Sequence, residues 1–260
     1  MTRPIALVTG ASSGIGEHLA RQLAARGHDL VLVARDQHRL ETLGKELERA
    51  HSTKAQVLPA DLTDAAQLKV VEDRCRDSGA PIDVLVNNAG FGSFGPFPEL
   101  DLENETREIQ LNVTALVRLS HAGASEMVAR GRGGILNVSS LAAFQPNPQM
   151  AVYGATKAFI VSFTEALHEE LKGTGVAVTV LCPGFTRTGF QTAADVPASD
   201  LPGFVWQEPG EVAKVGRDAL AKNRVLAIPG ALNKALGGFS IVSPHALTRR
   251  IAGVIAKQSR

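Results

Sequence analysis

The stretch IALVTGASSGIG, residues 5–16, decides the fold. Its first five residues form an apolar run of strand length, and an amphipathic helix pattern extends from about Gly14 to Arg26. Between them lies a turn with three glycines, Gly10, Gly14 and Gly16. Glycines allow a tight turn and a close approach of backbone amides to a phosphate, and a helix N-terminus adds unpaired N–H groups. The stretch therefore predicts a strand–turn–helix unit that can hold a pyrophosphate.

The spacing of these glycines is GxxxGxG, which differs from the GxGxxG fingerprint of many dinucleotide-binding proteins. A flexible turn without a ligand is the alternative interpretation, and the strand and helix on either side argue against it. The backbone and side-chain groups predicted to line the cradle belong to Gly10, Ser12, Ser13, Gly14, Ile15 and Gly16.

The same alternation of strand and helix patterns continues along the chain. Further apolar runs lie at Asp29–Ala34, Ala55–Pro59, Ile82–Val86, Ile135–Val138, Val176–Leu181 and Val225–Ile228. Helix-like stretches separate them, at residues 36–50, 64–77, 102–129, 152–172 and 210–222. The strand runs do not alternate polar with apolar residues, which indicates burial on both faces. We therefore predict an α/β fold, a Rossmann-like doubly wound seven-stranded parallel sheet with helices on both faces, in a single domain of residues 1–260.

Composition narrows the class of function. The 27 basic and 26 acidic residues give a net charge of +1, which argues against a dedicated nucleic-acid binder. The only cysteines, Cys75 and Cys182, have no CxxC pattern and no histidines at ligand spacing, so we expect a reduced, cytoplasmic protein without a metal site. No apolar run reaches the roughly 18 residues of a membrane span. The N-terminal residues lead straight into a strand-like run, so we expect no signal peptide.

Arg35 follows the apolar run of the second predicted strand. In a dinucleotide-binding fold this position meets the adenosine ribose, where an acidic residue favours NAD and a guanidinium favours the 2′-phosphate of NADP. Asp36 lies twenty residues after Gly16 and is the alternative ribose ligand, but it is better placed to cap the following helix. Arg35 therefore favours NADP(H) as the cofactor.

Tyr153 and Lys157 lie four residues apart in a helical stretch, so their side chains share one face. A lysine ammonium near a phenol favours the phenolate, and we expect the pKa of Tyr153 to fall toward neutral pH. Ser139 and Ser140 follow the fifth predicted strand, where a hydroxyl can hold a carbonyl oxygen. Tyr153 is the only tyrosine of the chain, which adds weight to the pattern.

Together these motifs resemble the short-chain dehydrogenase/reductase family over roughly residues 5–228. The matching positions are Thr9-Gly10-xxx-Gly14-x-Gly16, Asp61, Asn87-Asn88-Ala89-Gly90, Asn112, Ser140, Tyr153-xxx-Lys157, and Pro183-Gly184 followed by Thr188. Several independent motifs in the family's order make the resemblance specific.

The resemblance implies a role for each matching residue. Tyr153 would be the acid/base, Lys157 would lower its pKa and bind the nicotinamide ribose, and Ser140, thirteen residues before Tyr153, would orient the substrate oxygen. Asn112 would hold a water that links the lysine to solvent. The cofactor would meet Asp61, Asn88, Ala89 and Gly90, with Pro183, Gly184 and Thr188 near the nicotinamide. The implied activity is NADP(H)-dependent interconversion of a carbonyl and a secondary alcohol.

Two other classes of function were weighed against this one. A non-catalytic nucleotide sensor or scaffold would be expected to lose the tyrosine or lysine, and both are present here. A methyltransferase that uses S-adenosylmethionine also has a glycine turn after its first strand, but Arg35 and the Ser140, Tyr153 and Lys157 set argue against it.

The end of the chain shapes the remaining expectations. Residues 185–209 are rich in Thr, Ala, Pro, Asp and Gly, and we expect a substrate loop there. No acidic residue follows Asp218, so the tail of about residues 230–260 is basic, and an acyl-carrier protein or an anionic membrane surface is a possible partner. A hydrophobic ketone or a 3-oxoacyl group is the favoured substrate. The family implies a homodimer or homotetramer.

Overall fold

Seven parallel strands form one sheet within the residues that the structure describes. The structure is a computed structural model, and it describes residues 3–194, 202–242 and 249. The strands are β1 (Ile5–Thr9), β2 (Asp29–Ala34), β3 (Ala55–Pro59), β4 (Ile82–Asn87), β5 (Gly133–Val138), β6 (Val176–Leu181) and β7 (Leu226–Ala227). Their order across the sheet is β3-β2-β1-β4-β5-β6-β7. The predicted doubly wound parallel sheet is confirmed.

Helices follow most of the strands. They are α1 (Gly14–Ala24), α2 (Gln37–His51), α3 (Ala65–Cys75), α4 (Leu102–Ile109), α5 (Leu116–Arg130), α6 (Ala151–Glu170), α7 (Phe190–Ala193), α8 (Pro209–Ala221) and α9 (Ala231–Val242). Aspartates begin three of them, because the side chains of Asp36, Asp64 and Asp101 accept hydrogen bonds from the first-turn N–H groups of α2, α3 and α4.

The core lies on both faces of the sheet. On β1, Ala6 and Val8 pack on one side with Leu19 and Leu23 of α1, while Leu7 packs on the other with residues of α3 and α5. Successive side chains of a strand point to opposite faces, so a strand covered on both faces must be apolar at every position. This is why the runs read from the sequence do not alternate.

The predicted helix at residues 102–129 differs from the structure. A π-helical turn at Gln110–Ala115 divides it into α4 and α5. Such turns hold one residue more than an α-helical turn and are frequent at functional sites. The helix α9 lies in a part of the chain for which the sequence predicted no helix.

The strand order places the site. β1 pairs with β2 on one side and with β4 on the other, so the chain reverses its direction of winding at the carboxyl ends of β1 and β4. Ligands of open α/β sheets bind in the crevice at such a point.

Two sequence predictions fall partly outside the described residues: the loop at 185–209, of which 195–201 are not described, and the basic tail at 230–260, of which little beyond α9 is described. Among the described residues, no helix is both long and apolar enough to cross a membrane, and no group of metal-ligating side chains is found.

Candidate active site

A cavity of about 700 Å³ runs along the carboxyl ends of the strands. Its wall begins beside the ends of β2 and β3, passes the glycine turn after β1, and continues to the ends of β5 and β6. The predicted site residues on this wall are Gly10, Ser12, Ser13, Gly14, Ile15, Arg35, Asp61, Asn88, Ala89, Gly90, Ser140, Tyr153, Lys157, Pro183, Gly184 and Thr188. Two predicted residues, Gly16 and Asn112, do not line it.

Asn88 holds the glycine turn in place. Its side-chain Nδ2 donates to the carbonyl groups of Thr9 at 3.0 Å and Gly10 at 3.3 Å. The hydroxyl of Thr9 accepts from the N–H groups of Asn88 and Ala89 at 2.9 and 3.0 Å. The stretch after β4 thus clamps the turn after β1, and the predicted contact of Asn88 with a cofactor is made from this position.

Gly16 is needed for packing. A Cβ at this position would lie 2.3 Å from the carbonyl oxygen of Gly10 and 2.4 Å from Nδ2 of Asn88. Gly10 has a φ of +65°, which is a conformation that side chains disfavour. Two of the three glycines of the motif therefore serve the turn and its clamp.

Arginine side chains gather at the β2 and β3 end of the cavity. Arg35 and Arg39 both line it, and Arg107 lies 3.9 Å from the carboxylate of Asp61. Burial raises the pKa of Asp61, but hydrogen bonds from Thr63, together with the charges of Arg35 and Arg107, hold it below its usual value. Asp61 is thus an anion that accepts bonds from the loop, and the guanidinium groups of Arg35 and Arg39 give this end a positive charge.

The two serines after β5 have different positions. The hydroxyl of Ser139 is buried and donates to the backbone carbonyl of Lys157 at 2.7 Å, which ties β5 to α6. The hydroxyl of Ser140 accepts from the N–H of Ala142 at 3.2 Å and lies beside Tyr153 on the cavity wall. The preference for Ser140 over Ser139 agrees with this geometry.

Tyr153 and Lys157 lie on the same face of α6 and both reach the cavity. The Nζ of Lys157 is 5.6 Å from the centre of the Tyr153 ring and donates to the carbonyl of Val138 at 3.2 Å. Burial raises the pKa of Tyr153 to about 12, an effect that the Ser140 hydroxyl only partly offsets. Burial also lowers the pKa of Lys157 to about 8, against the opposing charge of Glu108.

The expected lowering of the pKa of Tyr153 by Lys157 is therefore wrong for the protein chain alone. Desolvation of the phenolate outweighs the nearby ammonium, because both groups lie in the interior. A phenol in this state is a proton donor across the neutral range.

Asn112 lies in the π-helical turn, behind the cavity wall. Its side chain accepts from the N–H of Phe91 at 3.2 Å, and it donates to the carbonyl of Phe91 at 2.9 Å and to the hydroxyl of Thr156 at 3.1 Å. The side-chain amide thus bonds to protein groups on the loop after β4 and on α6. The structure shows Asn112 as a connector of these elements, and the water-holding role implied by the resemblance stays a prediction.

Several wall residues escaped the sequence analysis. Arg39 was not noticed because one arginine on an exposed helix carries no signal, although it follows Arg35 by four residues. Phe190 packs its ring 5.2 Å from that of Tyr153. Of the three phenylalanines after β4 that the sequence left undecided between substrate wall and packing, Phe91 lines the cavity and Phe97 is exposed.

A doubly wound sheet with a glycine turn, paired arginines and a Ser–Tyr–Lys set around one cavity defines a dinucleotide-binding α/β protein. Comparison with known proteins narrows this class. The family model for short chain dehydrogenases matches residues 4–197. The chain therefore belongs to the short-chain dehydrogenase/reductase family, oxidoreductases that use a nicotinamide cofactor.

Relatives and solved structures agree with this assignment. Ketoacyl reductase HetN of Nostoc sp. is 33% identical over 257 residues, covering 96% of this chain and 88% of the relative. The very-long-chain 3-oxoacyl-CoA reductase of Rattus norvegicus is 33% identical, covering 89% of this chain and 75% of the relative.

Among solved structures, a short-chain dehydrogenase from Sphingobium yanoikuyae in complex with NADPH has a TM-score of 0.83 and 38% identity, covering 94% of this chain and 97% of that chain. The bulky-bulky ketone specific alcohol dehydrogenase from Comamonas testosteroni has a TM-score of 0.80 and 34% identity, with coverages of 95% and 97%. A family member from Burkholderia phymatum in complex with NAD has a TM-score of 0.80 and 26% identity, with coverages of 91% and 92%.

Proposed function

We propose that this protein interconverts a carbonyl and a secondary alcohol with NADP(H) as its cofactor. The observation that carries the proposal is the arrangement of one cavity, with Ser140, Tyr153 and Lys157 at one end and Arg35 and Arg39 at the other. The distance between these ends matches an extended dinucleotide, and a volume of about 700 Å³ is typical of ligand pockets.

The residues present fit the cofactor. The side chain of Ser13, the N-cap of α1, makes no capping hydrogen bond, so the first N–H groups of the helix face the cavity and suit a pyrophosphate. The ammonium of Lys157 has one protein acceptor, the carbonyl of Val138, and its remaining N–H groups suit the ribose hydroxyls. Thr188 and the Pro183-Gly184 backbone line the end where the nicotinamide would lie.

Two guanidinium groups favour NADP(H) over NAD(H). Arg35 and Arg39 line the cavity next to the predicted ribose position, and a 2′-phosphate binds such groups through charge-assisted hydrogen bonds. The neighbouring structure from Sphingobium yanoikuyae holds NADPH, which supports this choice, while the one from Burkholderia phymatum holds NAD.

The chain's own residues carry out the proton chemistry. When bound, the cofactor supplies or accepts the hydride. In the reduction, the phenol Oη of Tyr153 donates its proton to the substrate oxygen, and the hydroxyl of Ser140 holds that oxygen in place. Lys157 provides a positive charge that stabilises the phenolate left behind.

A hydrophobic substrate is favoured, either a ketone or a 3-oxoacyl group. Phe91 and Phe190 line the cavity beside Tyr153, and the Phe190 ring contacts the Tyr153 ring. The relatives named above as ketoacyl, 3-oxoacyl-CoA and bulky-ketone enzymes support this class of substrate. Residues 186–194 form part of the wall, in agreement with a substrate loop at 185–209.

The remaining parts of the proposal concern the whole protein. We infer one domain over residues 1–260, a homodimer or homotetramer in the cytoplasm, and contact of the basic tail with an acidic partner. Size-exclusion chromatography with light scattering tests the oligomer, and salt-dependent binding to anionic vesicles tests the tail.

A substrate screen tests the central proposal. Purified protein with NADPH and a panel of alkyl ketones, aryl ketones and 3-oxoacyl thioesters should consume NADPH, measured as a fall in absorbance. Binding of NADPH without turnover of any carbonyl compound would instead support the non-catalytic nucleotide sensor.

A further inference from the structure

Glu108 is a fully buried carboxyl group near the active site, with 0% of its surface exposed. It lies on α4, directly before the π-helical turn. Its oxygens are 3.5 Å from Nδ2 of Asn112 and 3.5 Å from the hydroxyl of Ser93. No basic side chain of the described residues lies within ion-pair distance of it. A buried acid without a direct ion pair is costly, so its place in the fold calls for an explanation.

Asn112 lies between Glu108 and Lys157. A Cβ built on Gly90 would be 2.8 Å from Oδ1 of Asn112 and 3.4 Å from Nζ of Lys157, so these two atoms approach the same point of the backbone. The Nδ2 of the same amide faces Glu108. Glu108 and Lys157 are thus opposite charges on the two sides of one side-chain amide, in a part of the protein that excludes water.

We propose that Glu108 is a positioning residue of the active site, whose carboxylate holds Lys157 in its ammonium form and keeps the phenol of Tyr153 protonated. The inference rests on the proposed function, because it assigns Glu108 to the same proton chemistry. Its consequence is a preference for carbonyl reduction at neutral pH, since reduction needs the phenol as a proton donor and alcohol oxidation needs the phenolate.

The charges around Glu108 support this role. On its own helix, Glu105 is buried, and its repulsion adds to burial in raising the pKa of Glu108 to about 7. From α6, Lys157 lowers the pKa of Glu108, and Glu108 in return raises the pKa values of Lys157 and Tyr153. From the end of β6, the Cys182 thiol also faces Lys157 and Tyr153, but burial raises its pKa to about 12 and it stays neutral.

These values place the change of charge in the neutral range. With a pKa of about 7 for Glu108 and about 8 for Lys157, the pair carries both charges between these pH values. Above pH 8, the remaining negative charge of Glu108 opposes ionisation of Tyr153.

The test uses the fact that Tyr153 is the only tyrosine, so ultraviolet titration reports on this phenol alone. Glu108→Gln keeps the shape of the side chain and removes its charge. In the cofactor-free protein, we expect the apparent pKa of Tyr153 to fall by roughly half a unit or more. The titration is read only where far-UV circular dichroism shows an intact fold, as the phenolate fraction at each pH.

Two further variants complete the test. Glu105→Gln is the matched control on the same helix, and it should leave the titration of Tyr153 unchanged, because Glu108 is ionised at alkaline pH in either protein. Glu108→Asp retains a carboxylate and should restore the titration toward that of the wild type. A tyrosine titration that is the same in all four proteins would overturn the proposal.

The pH profiles of kcat/KM give a second readout. For alcohol oxidation, the ascending limb of Glu108→Gln should move to lower pH, and for ketone reduction the descending limb should move in the same direction. A uniform loss of activity with unshifted limbs would assign Glu108 a structural role and overturn the proposal. Failure of the wild type to turn over any carbonyl compound would count against the proposed function, while the titration would still test Glu108.

Discussion

Asn112 pairs with both backbone polar groups of Phe91, accepting from its N–H at 3.2 Å and donating to its carbonyl at 2.9 Å. Phe91 lies beyond the end of β4, where no strand can satisfy these groups. The π-helical turn widens the helix at this point and brings the amide of Asn112 into place. One side chain thus joins the loop after β4 to the helix pair that carries the active site.

Replacing Asn112 tests this connection. Asn112→Ala leaves the N–H and carbonyl of Phe91 without partners, and we expect a loss of about 1–3 kcal/mol in the free energy of unfolding. Urea denaturation measures the change. Thr106→Ala, on the exposed side of α4, is the control and should stay within about 0.5 kcal/mol of the wild type. Equal stability of the two variants would contradict the connecting role of Asn112.

Tyr153→Phe removes the phenol and keeps the ring that packs on Phe190. The fold and NADPH binding should persist, while kcat falls by about 100-fold or more, the usual scale for a positioned acid–base group. Steady-state kinetics with a ketone identified in the screen, together with NADPH fluorescence titration, separate the two effects. Retention of more than a tenth of the wild-type kcat would argue against Tyr153 as the proton donor.

The fold could be predicted from the sequence because strands buried on both faces leave continuous apolar runs. The predicted runs at Ile5–Thr9, Asp29–Ala34 and Val176–Leu181 coincide with β1, β2 and β6. The π-helical turn could not be predicted, because it depends on a hydrogen bond between Asn112 and a residue 21 positions earlier in the chain.

The charge states at the site were equally hidden from the sequence. Spacing placed Tyr153 and Lys157 on one face of a helix, as the structure shows. Their pKa values depend on burial and on Glu108, which belongs to a different helix and is one of many acids in the sequence. Arg39 was missed for the same reason, since only the folded chain places it beside Arg35.

The two serines after β5 form a matched pair. Ser140→Ala should lower kcat by roughly 10-fold or more with unchanged stability, because its hydroxyl faces the cavity. Ser139→Ala should mainly destabilise the fold, by about 1 kcal/mol, because it loses the bond to the Lys157 carbonyl. Kinetics and urea denaturation of both variants are the measurements. A reversed pattern would assign the catalytic hydroxyl to Ser139.

Cofactor choice should depend on the two arginines at the cavity end. Wild-type protein should bind NADPH at least about tenfold more tightly than NADH, a difference of about 1.4 kcal/mol. Arg35→Ala and Arg39→Ala should each weaken NADPH binding and leave NADH binding nearly unchanged, because only NADPH carries the 2′-phosphate. Arg49→Ala, on the exposed surface of the same helix as Arg39, is the control. Parallel losses for both cofactors would contradict the assignment.

Glu108 should also make the stability of the protein depend on pH. Its pKa is about 7 in the folded chain and near 4.5 in the unfolded one. Folding therefore favours the protonated form, and the contribution of this group to stability is full below about pH 4.5 and lost as the pH rises through about 7. The slope is at most about 1.4 kcal/mol for each pH unit.

Glu108→Gln removes this dependence. Relative to the wild type, the variant should gain stability as the pH rises from 5 to 8, by at most about 3 kcal/mol. Urea denaturation of both proteins at pH 5, 6, 7 and 8 gives the difference directly. Glu103→Gln, an exposed position on the same helix, should show a difference that does not change with pH. If the difference between Glu108→Gln and the wild type is also flat, then Glu108 is ionised in the folded protein throughout this range.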